Sequence, residues 1–118
     1  MTTLTIQGNI PSKKNRYKIA RGRMYKPKDI TDFEYSALLQ LQSQYKDDPI
    51  LSDVNVEMKF YILRDKDVDN LATTILDCLQ NAEVFKNDKQ VVKLTASKHK
   101  ITKADGDESA DIIIKKKL

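Results

Sequence analysis

The stretch RDKDVDNLATTILD, residues 64–77, concentrates acidic side chains at a spacing that could hold a metal ion. Asp65, Asp67 and Asp69 occupy alternate positions, and in an extended backbone alternate side chains project from the same face. Carboxylates held that close repel one another, so a bound cation would stabilise them. Mg²⁺ binds one or two protein carboxylates and keeps several waters, which leaves room for a phosphate oxygen. Metal-assisted phosphate chemistry is therefore one interpretation of this stretch.

Other interpretations explain the same acids without catalysis. Asp69 stands just before the apolar stripe of a helix and could cap it, a contribution of about 1 kcal/mol. Alternatively, the turn is solvated, and Arg64 and Lys66 neutralise the neighbouring carboxylates. A calcium loop of the EF-hand type is excluded, because its sixth position would be Asn70 instead of Gly and its twelfth Leu76 instead of Glu. Capping and solvation stay open beside the metal site.

A fourth acid, Asp88, lies in the sequence FKNDKQVV, after the helix. The helix is predicted to have about three turns and a length of about 18 Å, so its far end is distant from the acidic turn. The loop could return Asp88 to that turn only if the following strand pairs beside the strand that ends at Leu63. The alternating patterns of both segments favour this pairing, although they do not establish it.

The elements that must position these acids follow from hydrophobic periodicity. The cleanest strand pattern lies in residues 53–63, and the second helix carries a single apolar stripe, Leu71, Ile75, Cys78, Leu79 and Ala82. In chain order we predict a strand in residues 3–10, a basic loop or ribbon in 11–28, a helix in 30–45, a strand in 53–63, a helix in 70–82, a strand in 90–101 and a strand in 109–117. The prediction is an α+β fold, one domain over residues 1–118 in the order β-α-β-α-β-β, with a small mixed β-sheet packed with two helices.

The charge of the chain is unevenly distributed. Residues 1–28 contain eight of the 21 basic residues and no acid, so the other 90 residues carry a net charge of −4 within the overall +4. Such asymmetry indicates a polyanionic partner for the first segment, and the alternative is a solvated basic loop.

Composition limits the class of protein. The chain has 118 residues, 40% of them hydrophobic and 32% charged, which is typical of a globular protein that needs no disulfides. No apolar run approaches the roughly 18 residues of a membrane span, and the first residues, MTTLTIQGNI, do not resemble a secretion signal. The single cysteine, Cys78, is an ordinary core candidate and fits a reducing compartment. We therefore expect a cytoplasmic protein without a membrane partner. The three glycines are scattered, so we expect no nucleotide cofactor.

Three blocks of the sequence together resemble the RusA family of Holliday junction resolvases, which are small endonucleases common in prophages. The blocks are IPSKKNRY with RGRMY near the start, DVDNLATTILDCL in the middle, and NDKQVVKLTASK. The last two blocks, with 18 residues between their key acids, are the specific ones. The resemblance covers nearly the whole chain.

The resemblance implies a homodimeric, Mg²⁺-dependent enzyme of DNA recombination and repair that cuts four-way DNA junctions by paired symmetric nicks. Mn²⁺ is an expected substitute for Mg²⁺. The family's two acids of the D-x-D-N motif and its later acid match Asp67, Asp69 and Asp88, which it assigns as catalytic metal ligands. Asn70 and Asp77 are expected to support those ligands. The products expected from the family are a 5′-phosphate and a 3′-hydroxyl.

Two positions depart from the family pattern. Asn87 replaces the first acid of a D-D pair, and Thr73 replaces a frequent lysine four residues after the second acid of D-x-D-N. Thr73 cannot place a positive charge on the scissile phosphate. Lys66, Lys89 or Lys98 could do so, and Lys98 matches a lysine that recurs in the family, so we assign it a catalytic role. These two departures question the catalytic efficiency of the protein more than its reaction class.

DNA affinity is expected to come mainly from the basic segment, because each lysine or arginine that neutralises a phosphate strengthens binding at low salt. Tyr17 and Tyr25 are interleaved there and either stack on opened bases or pack on the protein. Phe85 is a core residue or, alternatively, a wedge at the crossover. The only histidine, His99, is expected to be an exposed or edge residue. The predicted DNA-binding residues are Lys13, Lys14, Arg16, Arg21, Arg23 and Lys89.

Two other function classes remain open from the sequence. In the first, the chain is a non-catalytic nucleic-acid-binding protein that binds branched DNA without cutting it, and the acids only cap and solvate. In the second, which has no positive support, a prophage regulator binds a host protein through the acidic face. The first alternative has no use for Asp67, Asp69 and Asp88 together, so their neutralisation separates it from a resolvase.

Overall fold

The computed structural model describes residues 1–11, 18–20 and 22–117, and for residues 18–20 and 23–25 it describes the backbone alone. The elements are β1 (Thr2–Gln7), β2 (Lys18–Ala20), β3 (Arg23–Tyr25), α1 (Lys28–Gln44), β4 (Val54–Ile62), α2 (Val68–Asn81), β5 (Val91–Lys100) and β6 (Ser109–Lys116), with short 3₁₀ turns at Asp88–Gln90 and Lys103–Asp105. The predicted α+β class and the order β-α-β-α-β-β are confirmed, with the hairpin β2–β3 added inside the segment predicted as a basic loop or ribbon.

The main sheet has four strands in the order β1-β6-β4-β5. β6 lies antiparallel to both β1 and β4, whereas β5 lies parallel to β4. Parallel neighbours need a crossover connection, and α2 supplies it by returning the chain to the end of the sheet where β4 begins. The register pairs Val54 with Val91 at that end and Ile62 with Lys100 at the other.

One face of the sheet carries the core. Alternate residues of β4 are fully buried, because the 2.0-residue period of a strand sends them all to the side on which the two helices pack. Against them α2 buries the predicted stripe, in which Ala82 alone is only partly buried, and α1 buries its own. The helical core residues are Ile30, Phe33, Ala37, Leu41, Leu71, Ala72, Ile75, Cys78 and Leu79. Within the described residues, neither helix has the length and apolarity that a membrane span requires.

The outer edge of β1 is covered by side chains of α1. Gln44 accepts a hydrogen bond from the Thr5 amide at 2.8 Å and donates to the Thr5 carbonyl at 2.7 Å, so its amide mimics a neighbouring strand. Gln40 does the same for Gln7, at 2.8 and 2.9 Å. Edge strands with open backbone groups invite pairing with another chain, and the two glutamines prevent this on the β1 side.

Helix α2 ends in a Schellman motif built around a residue other than glycine. Val84 donates its amide to the Leu79 carbonyl and Glu83 donates to the Gln80 carbonyl, both at 3.0 Å. Glu83 has φ 57°, the left-handed conformation that glycine usually occupies in this motif. The turn sends Phe85 back toward Ile50, with which it forms a parallel bridge beside the start of β4. Phe85 is fully buried, which confirms the core interpretation over the wedge.

A buried ion pair joins the ends of three elements beside the acidic turn. The side chain of Glu108, 2% exposed, accepts from Lys66 Nζ at 2.6 Å, and it also accepts from the amides of Leu63 at 2.7 Å and Ile10 at 3.2 Å. Lys66 Nζ donates further to the Ile10 carbonyl at 2.6 Å and to Asn9 Oδ1 at 3.0 Å. The pair therefore ties the chain after β1 to the turn after β4 and to the residue before β6.

The ionised form of Glu108 is favoured despite its burial. Burial raises the pKa of this carboxyl, but the hydrogen bonds from Lys66 and the Leu63 amide, with the charge of Lys66, lower it more, and the net pKa lies below the ordinary value of 4.5. A carboxyl whose folded pKa is depressed contributes stability above its unfolded pKa, and that contribution is lost as the pH falls through the folded value. Acidification below about pH 4.5 should therefore loosen this junction.

Removing Lys66 should destabilise the protein more than neutralising Glu108. Lys66→Met leaves a buried carboxylate without its cation, and at pH 7 we expect a loss of about 3 kcal/mol in the free energy of unfolding. Glu108→Gln keeps a side-chain acceptor for the Leu63 amide and leaves a lysine that still reaches other oxygens, so we expect a smaller loss of about 1–2 kcal/mol. Urea denaturation at pH 7 measures both.

The pH dependence checks the physical reason. In Lys66→Met the burial of Glu108 is unopposed by the lysine, so the pKa of Glu108 should rise and the difference from the parent protein should shrink as the pH falls toward 4. Lys59→Met, at an exposed position on the other sheet face, is the matched control. Equal losses at pH 7 and pH 4 would contradict the assignment.

Candidate metal and nucleic-acid site

The acidic turn leads directly into the first turn of α2. The helix begins at Val68 and Asp67 is its N-cap residue, although the Asp67 side chain makes no capping hydrogen bond. Asp69 lies one residue inside the helix, so the prediction that it caps the helix is wrong. The helix dipole stabilises carboxylates at a helix N-terminus, which explains in part why these acids lie there. Both residues are exposed to solvent.

Asn70 holds the two exposed aspartates in position. Its side-chain amide donates to Asp67 Oδ2 at 3.4 Å, and its backbone amide donates to Asp69 Oδ1 at 3.0 Å. Thr73, one turn later, donates its hydroxyl to the Asp69 carbonyl at 2.9 Å and is exposed. Asn70 thus donates to a carboxylate oxygen of each acid, and its support of metal ligands stays a prediction.

The donor set of Asp67 and Asp69 fits a hard divalent cation. Both residues offer carboxylate oxygens at an exposed helix start, and Mg²⁺ commonly takes one or two protein carboxylates and retains several waters. Two carboxylates alone supply few protein ligands. Among residues 1–11, 18–20 and 22–117, no group of three or more His, Cys, Asp or Glu side chains is placed to hold a metal ion.

Lys98 reaches the acidic turn from the neighbouring strand β5. Its Nζ donates to Asp65 Oδ1 at 2.6 Å and to the Lys66 carbonyl at 2.9 Å. The hydrogen bond and the charge of Lys98 lower the pKa of Asp65 below its ordinary value. The solvated-turn interpretation assigned this neutralising role to Lys66 and Arg64, but Lys66 is directed inward to Glu108. Asp65 therefore has its own cation, and Asp67 and Asp69 are the acids oriented by Asn70.

Asp88 lies at the opposite end of α2 from the other two acids. Its backbone amide donates to Gln80 Oε1 at 2.9 Å, in the last turn of the helix. Asp69 and Gln80 are eleven residues apart on one helix, which corresponds to about 16 Å. Within one chain, Asp88 therefore lies too far from Asp67 and Asp69 to share a metal ion with them.

The direction of β5 explains this separation. The predicted pairing beside β4 is present, but it is parallel, so β5 starts where β4 starts and not where β4 ends. Asp88 precedes β5 by three residues and stays at that end. Sequence patterns predict pairing without direction, which is why the separation was not predicted.

A short 3₁₀ turn presents Asp88 to solvent. Asn87 Oδ1 accepts from the Lys89 amide at 2.9 Å, and the Gln90 side chain accepts in return from the Asn87 amide at 3.0 Å. These two hydrogen bonds form a capping box. Asn87 therefore caps the 3₁₀ turn, at the position where the family pattern has an acid. Gln90 also donates to the carbonyls of Ile50 and Ser52, both at 2.8 Å, which anchors the turn to the start of β4.

The remaining predicted residues have varied positions. Asp77 is half-buried on α2, eight residues after Asp69, so about 12 Å of helix separates its backbone from the acidic turn. Lys89 is exposed beside Asp88. Cys78 is buried in the core and His99 is exposed on the edge strand, which confirms both of those predictions. Among the predicted DNA contacts, Lys13, Lys14, Arg16 and Arg21 lie outside the described residues, and Arg23 belongs to β3.

Sequence reasoning missed the contacts of four residues at or near this site. Glu108 gives no signal in the sequence, because a glutamate after a polar turn normally lies in water. Gln80 fixes Asp88 through an amide contact between residues eight apart, for which no periodicity exists. The rings of Tyr61 and His99 stack on the helix-free side of the sheet, and only the strand register brings them together.

Replacing Lys98 should raise the pKa of Asp65. Lys98→Met removes the main cause of the lowered value, so the carboxyl should titrate closer to its ordinary pKa of 3.8. Side-chain carboxyl NMR over a pH series measures this. Lys93→Met, on the same strand but on the other face, is the control and should leave Asp65 unchanged. An unchanged Asp65 in Lys98→Met would mean that the contact does not persist in solution.

Comparison with known proteins places the chain in a family. Residues 8–115 match the family model described as endodeoxyribonuclease RusA. A crossover junction endodeoxyribonuclease RusA from Aquifex aeolicus (strain VF5) is 31% identical over 85 residues, which cover 70% of this chain and 68% of that protein. Since the family match covers most of the chain, including both acidic segments, the chain belongs to the RusA family of endodeoxyribonucleases.

Proposed function

We propose that this chain is a divalent-metal-dependent endodeoxyribonuclease that resolves four-way DNA junctions by paired symmetric nicks. The observation that carries the proposal is the pair of exposed carboxylates, Asp67 and Asp69, that Asn70 orients at the start of α2. Family membership and the name of the Aquifex aeolicus relative support the reaction class. Residues 1–118 act in this proposal as one endonuclease domain of DNA recombination and repair, in the cytoplasm.

The metal ligands proposed are Asp67, Asp69 and Asp88, and one chain does not gather them. A single metal site with all three acids therefore requires two copies, each of which supplies Asp67 and Asp69 to one site and Asp88 to the other. A homodimer with a two-fold axis would contain two such sites, which suits two opposed cuts in a junction of similar symmetry. The distance along α2 is the physical argument for this arrangement.

The edge of β5 is the surface we propose for dimerisation. In the described part of the chain β5 is an outer strand, and it does not have the glutamine cover that protects β1. Val92 and Leu94 on this strand are 47% and 42% exposed. Antiparallel pairing of β5 with the same strand of a second copy would bring the start of one strand, near Asp88, beside the end of the other, near Lys98.

Each side chain then has a defined task. Asp67 and Asp69 would supply hard oxygen ligands to the cation, and the hydrogen bonds from Asn70 orient both carboxylates. The ammonium group of Lys98 lies at the turn, where it binds Asp65. It can exchange this partner for a phosphate oxygen of the DNA. A bound Mg²⁺ or Mn²⁺ would stabilise charge on the phosphate and lower the pKa of a coordinated water. Hydrolysis adds water across the P–O3′ bond and leaves a 5′-phosphate and a 3′-hydroxyl.

The DNA is proposed to bind through the basic segment, with Lys13, Lys14, Arg16, Arg21 and Arg23 as phosphate contacts and Lys89 as a further contact beside Asp88. Such contacts predict an affinity that falls steeply as salt is added. Thr73 places a neutral hydroxyl where the family pattern favours lysine, and this hydroxyl is already used by the Asp69 carbonyl. We therefore expect Thr73→Lys to accelerate cleavage by adding a cation beside the acids.

Cleavage of a labelled four-way junction tests the reaction class. The purified protein should give paired symmetric nicks in Mg²⁺ or Mn²⁺ and none in EDTA. Asp69→Asn should reduce the cleavage rate by at least about a hundredfold, because it removes a charged ligand, and it should bind the junction as tightly as the parent protein. Asp53→Asn, an exposed acid at the other end of β4, is the control. Tight binding without cutting in either metal would favour the non-catalytic binder.

Mixing two inactive variants tests whether the site is shared. If Asp88 acts in the partner's site, a dimer of one Asp69→Asn chain and one Asp88→Asn chain contains one intact site and one doubly impaired site. Equal mixing should therefore restore about a quarter of the parental number of active sites, and the products should be single nicks. The measurement is junction nicking after the two variants are co-refolded.

The controls separate a shared site from a site within one chain. Asp67→Asn mixed with Asp69→Asn should stay inactive, because both changes affect the same cluster. If all three acids acted within one chain, no mixture of two inactive variants would recover activity. Leu94→Glu should weaken the dimer in sedimentation velocity and reduce nicking with it, and an active Leu94→Glu monomer would refute the β5 interface.

A further inference from the structure

The side of the main sheet opposite the helices carries a stacked pair of rings. The β4–β5 register places Tyr61 beside His99, both on the face opposite the buried side chains Phe60 and Ile62. The ring centroids lie 5.3 Å apart with an interplanar angle of 26°. His99 is exposed and Tyr61 is half-buried, so this pair presents ring surface to solvent.

His99 has a second contact that fixes its orientation. Ser97 Oγ lies 3.0 Å from His99 Nε2, on the same face of the same strand. The stacking on Tyr61 and the hydrogen bond with Ser97 both limit rotation of the imidazole. A ring that is already held in place loses little conformational freedom when another flat group stacks on it.

The pair lies at the end of the sheet from which the acidic turn emerges. Tyr61 is next to the last residue of β4, and the chain enters the turn two residues later. His99 follows Lys98, whose Nζ binds Asp65 and the Lys66 carbonyl in that turn. Lys98 points to the helix side and His99 to the opposite side, so one short piece of β5 borders both the acidic turn and the ring pair.

Other aromatic side chains of the described residues are less suited to bind a nucleobase there. Phe33, Phe60 and Phe85 are buried. Tyr45 donates its hydroxyl to the Asp48 carbonyl at 2.6 Å, near the other end of the sheet. Tyr35 is 65% exposed, but it is on α1 and has no ring neighbour among the described aromatic contacts.

The charges on this face suit a nucleotide more than a neutral aromatic ligand. Lys59 is two residues before Tyr61 on the same face of β4. Its ammonium group lies 3.9 Å from Glu57, with both side chains nearly half-exposed, and Asp111 of β6 is its cross-strand neighbour. An ion pair of that length and exposure contributes little, so Lys59 is available to a phosphate. Bases stack on aromatic side chains without regard to sequence, and a basic neighbour then holds the backbone.

We propose that the Tyr61–His99 pair stacks an unpaired base of the bound DNA and that Lys59 contacts the adjoining phosphate. The inference rests on the proposed junction nuclease function, and it assigns the pair to a base that is opened near the crossover. Because stacking platforms tolerate any base, the pair would contribute affinity for opened DNA without contributing a cut-site sequence.

The chain has no tryptophan, so a single introduced tryptophan gives a specific fluorescence signal. In Tyr61→Trp we expect a short oligothymidylate, added in EDTA, to quench the fluorescence strongly. Tyr35→Trp, exposed on α1, is the matched control and should be quenched much less. The measurement needs no cleavage, and both variants can carry Asp69→Asn.

Affinity measurements separate stacking from a structural role. Tyr61→Leu should weaken oligothymidylate binding about tenfold, measured by fluorescence anisotropy, whereas Tyr61→Phe should retain the affinity of the parent protein. Thermal denaturation of the same variants reports any loss of stability. Equal affinities of Tyr61→Leu and the parent protein, or no quenching in Tyr61→Trp, would show that the ring pair only stabilises the edge of the sheet.

The outcomes distinguish this inference from the proposed function. Junction cleavage by the parent protein together with an unquenched Tyr61→Trp would overturn the stacking proposal alone. Strong quenching in a protein that never cuts a junction would support the stacking surface and count against the nuclease. His99→Phe, which keeps a ring, should retain oligothymidylate affinity, and His99→Ala should reduce it, since only the second change removes half of the platform.

Discussion

The buried pair of Glu108 and Lys66 is the interaction on which the acidic turn depends. One carboxylate accepts from a lysine and from the backbone amides of Leu63 and Ile10, so the ends of three strands share a single charged centre. A buried carboxylate is stable only when cation and amides replace its water, which fixes the path of residues 63–66. Asp67 directly follows this segment, so the buried pair of Glu108 and Lys66 sets the position of its backbone.

The lysines around the turn divide into two roles. Lys66 is directed inward and forms the buried ion pair with Glu108. Lys98 approaches from β5 and pairs with the exposed Asp65. Exposed pairs exchange readily with water and with other anions, because solvent screens their attraction. A phosphate that reaches the turn therefore meets a lysine that is already positioned and only weakly held.

The patterns with a fixed period predicted the two helices and the four strands of the main sheet, but not the hairpin β2–β3. The alternation of β4 and the stripe of α2 describe which side chains are buried, and the structure buries those residues. The sequence also located the acidic turn at the start of the second helix, because Asp67, Asp69 and Asn70 directly precede its apolar stripe. The prediction that Asp69 caps the helix was wrong, because the helix begins at Val68, two residues before the predicted start.

The sequence by itself determined the two helices, the four strands of the main sheet, the fold class and the position of the acidic turn, because these depend on local backbone preference and on side-chain type. Only the tertiary structure decided that β5 runs parallel to β4, that Asp88 lies at the far end of α2, and that Tyr61 meets His99. Strand direction and register depend on contacts between residues distant in the chain, and no local period encodes them. The burial of Glu108 belongs to the same class, because a charge is stable inside only when the complete fold supplies its partners.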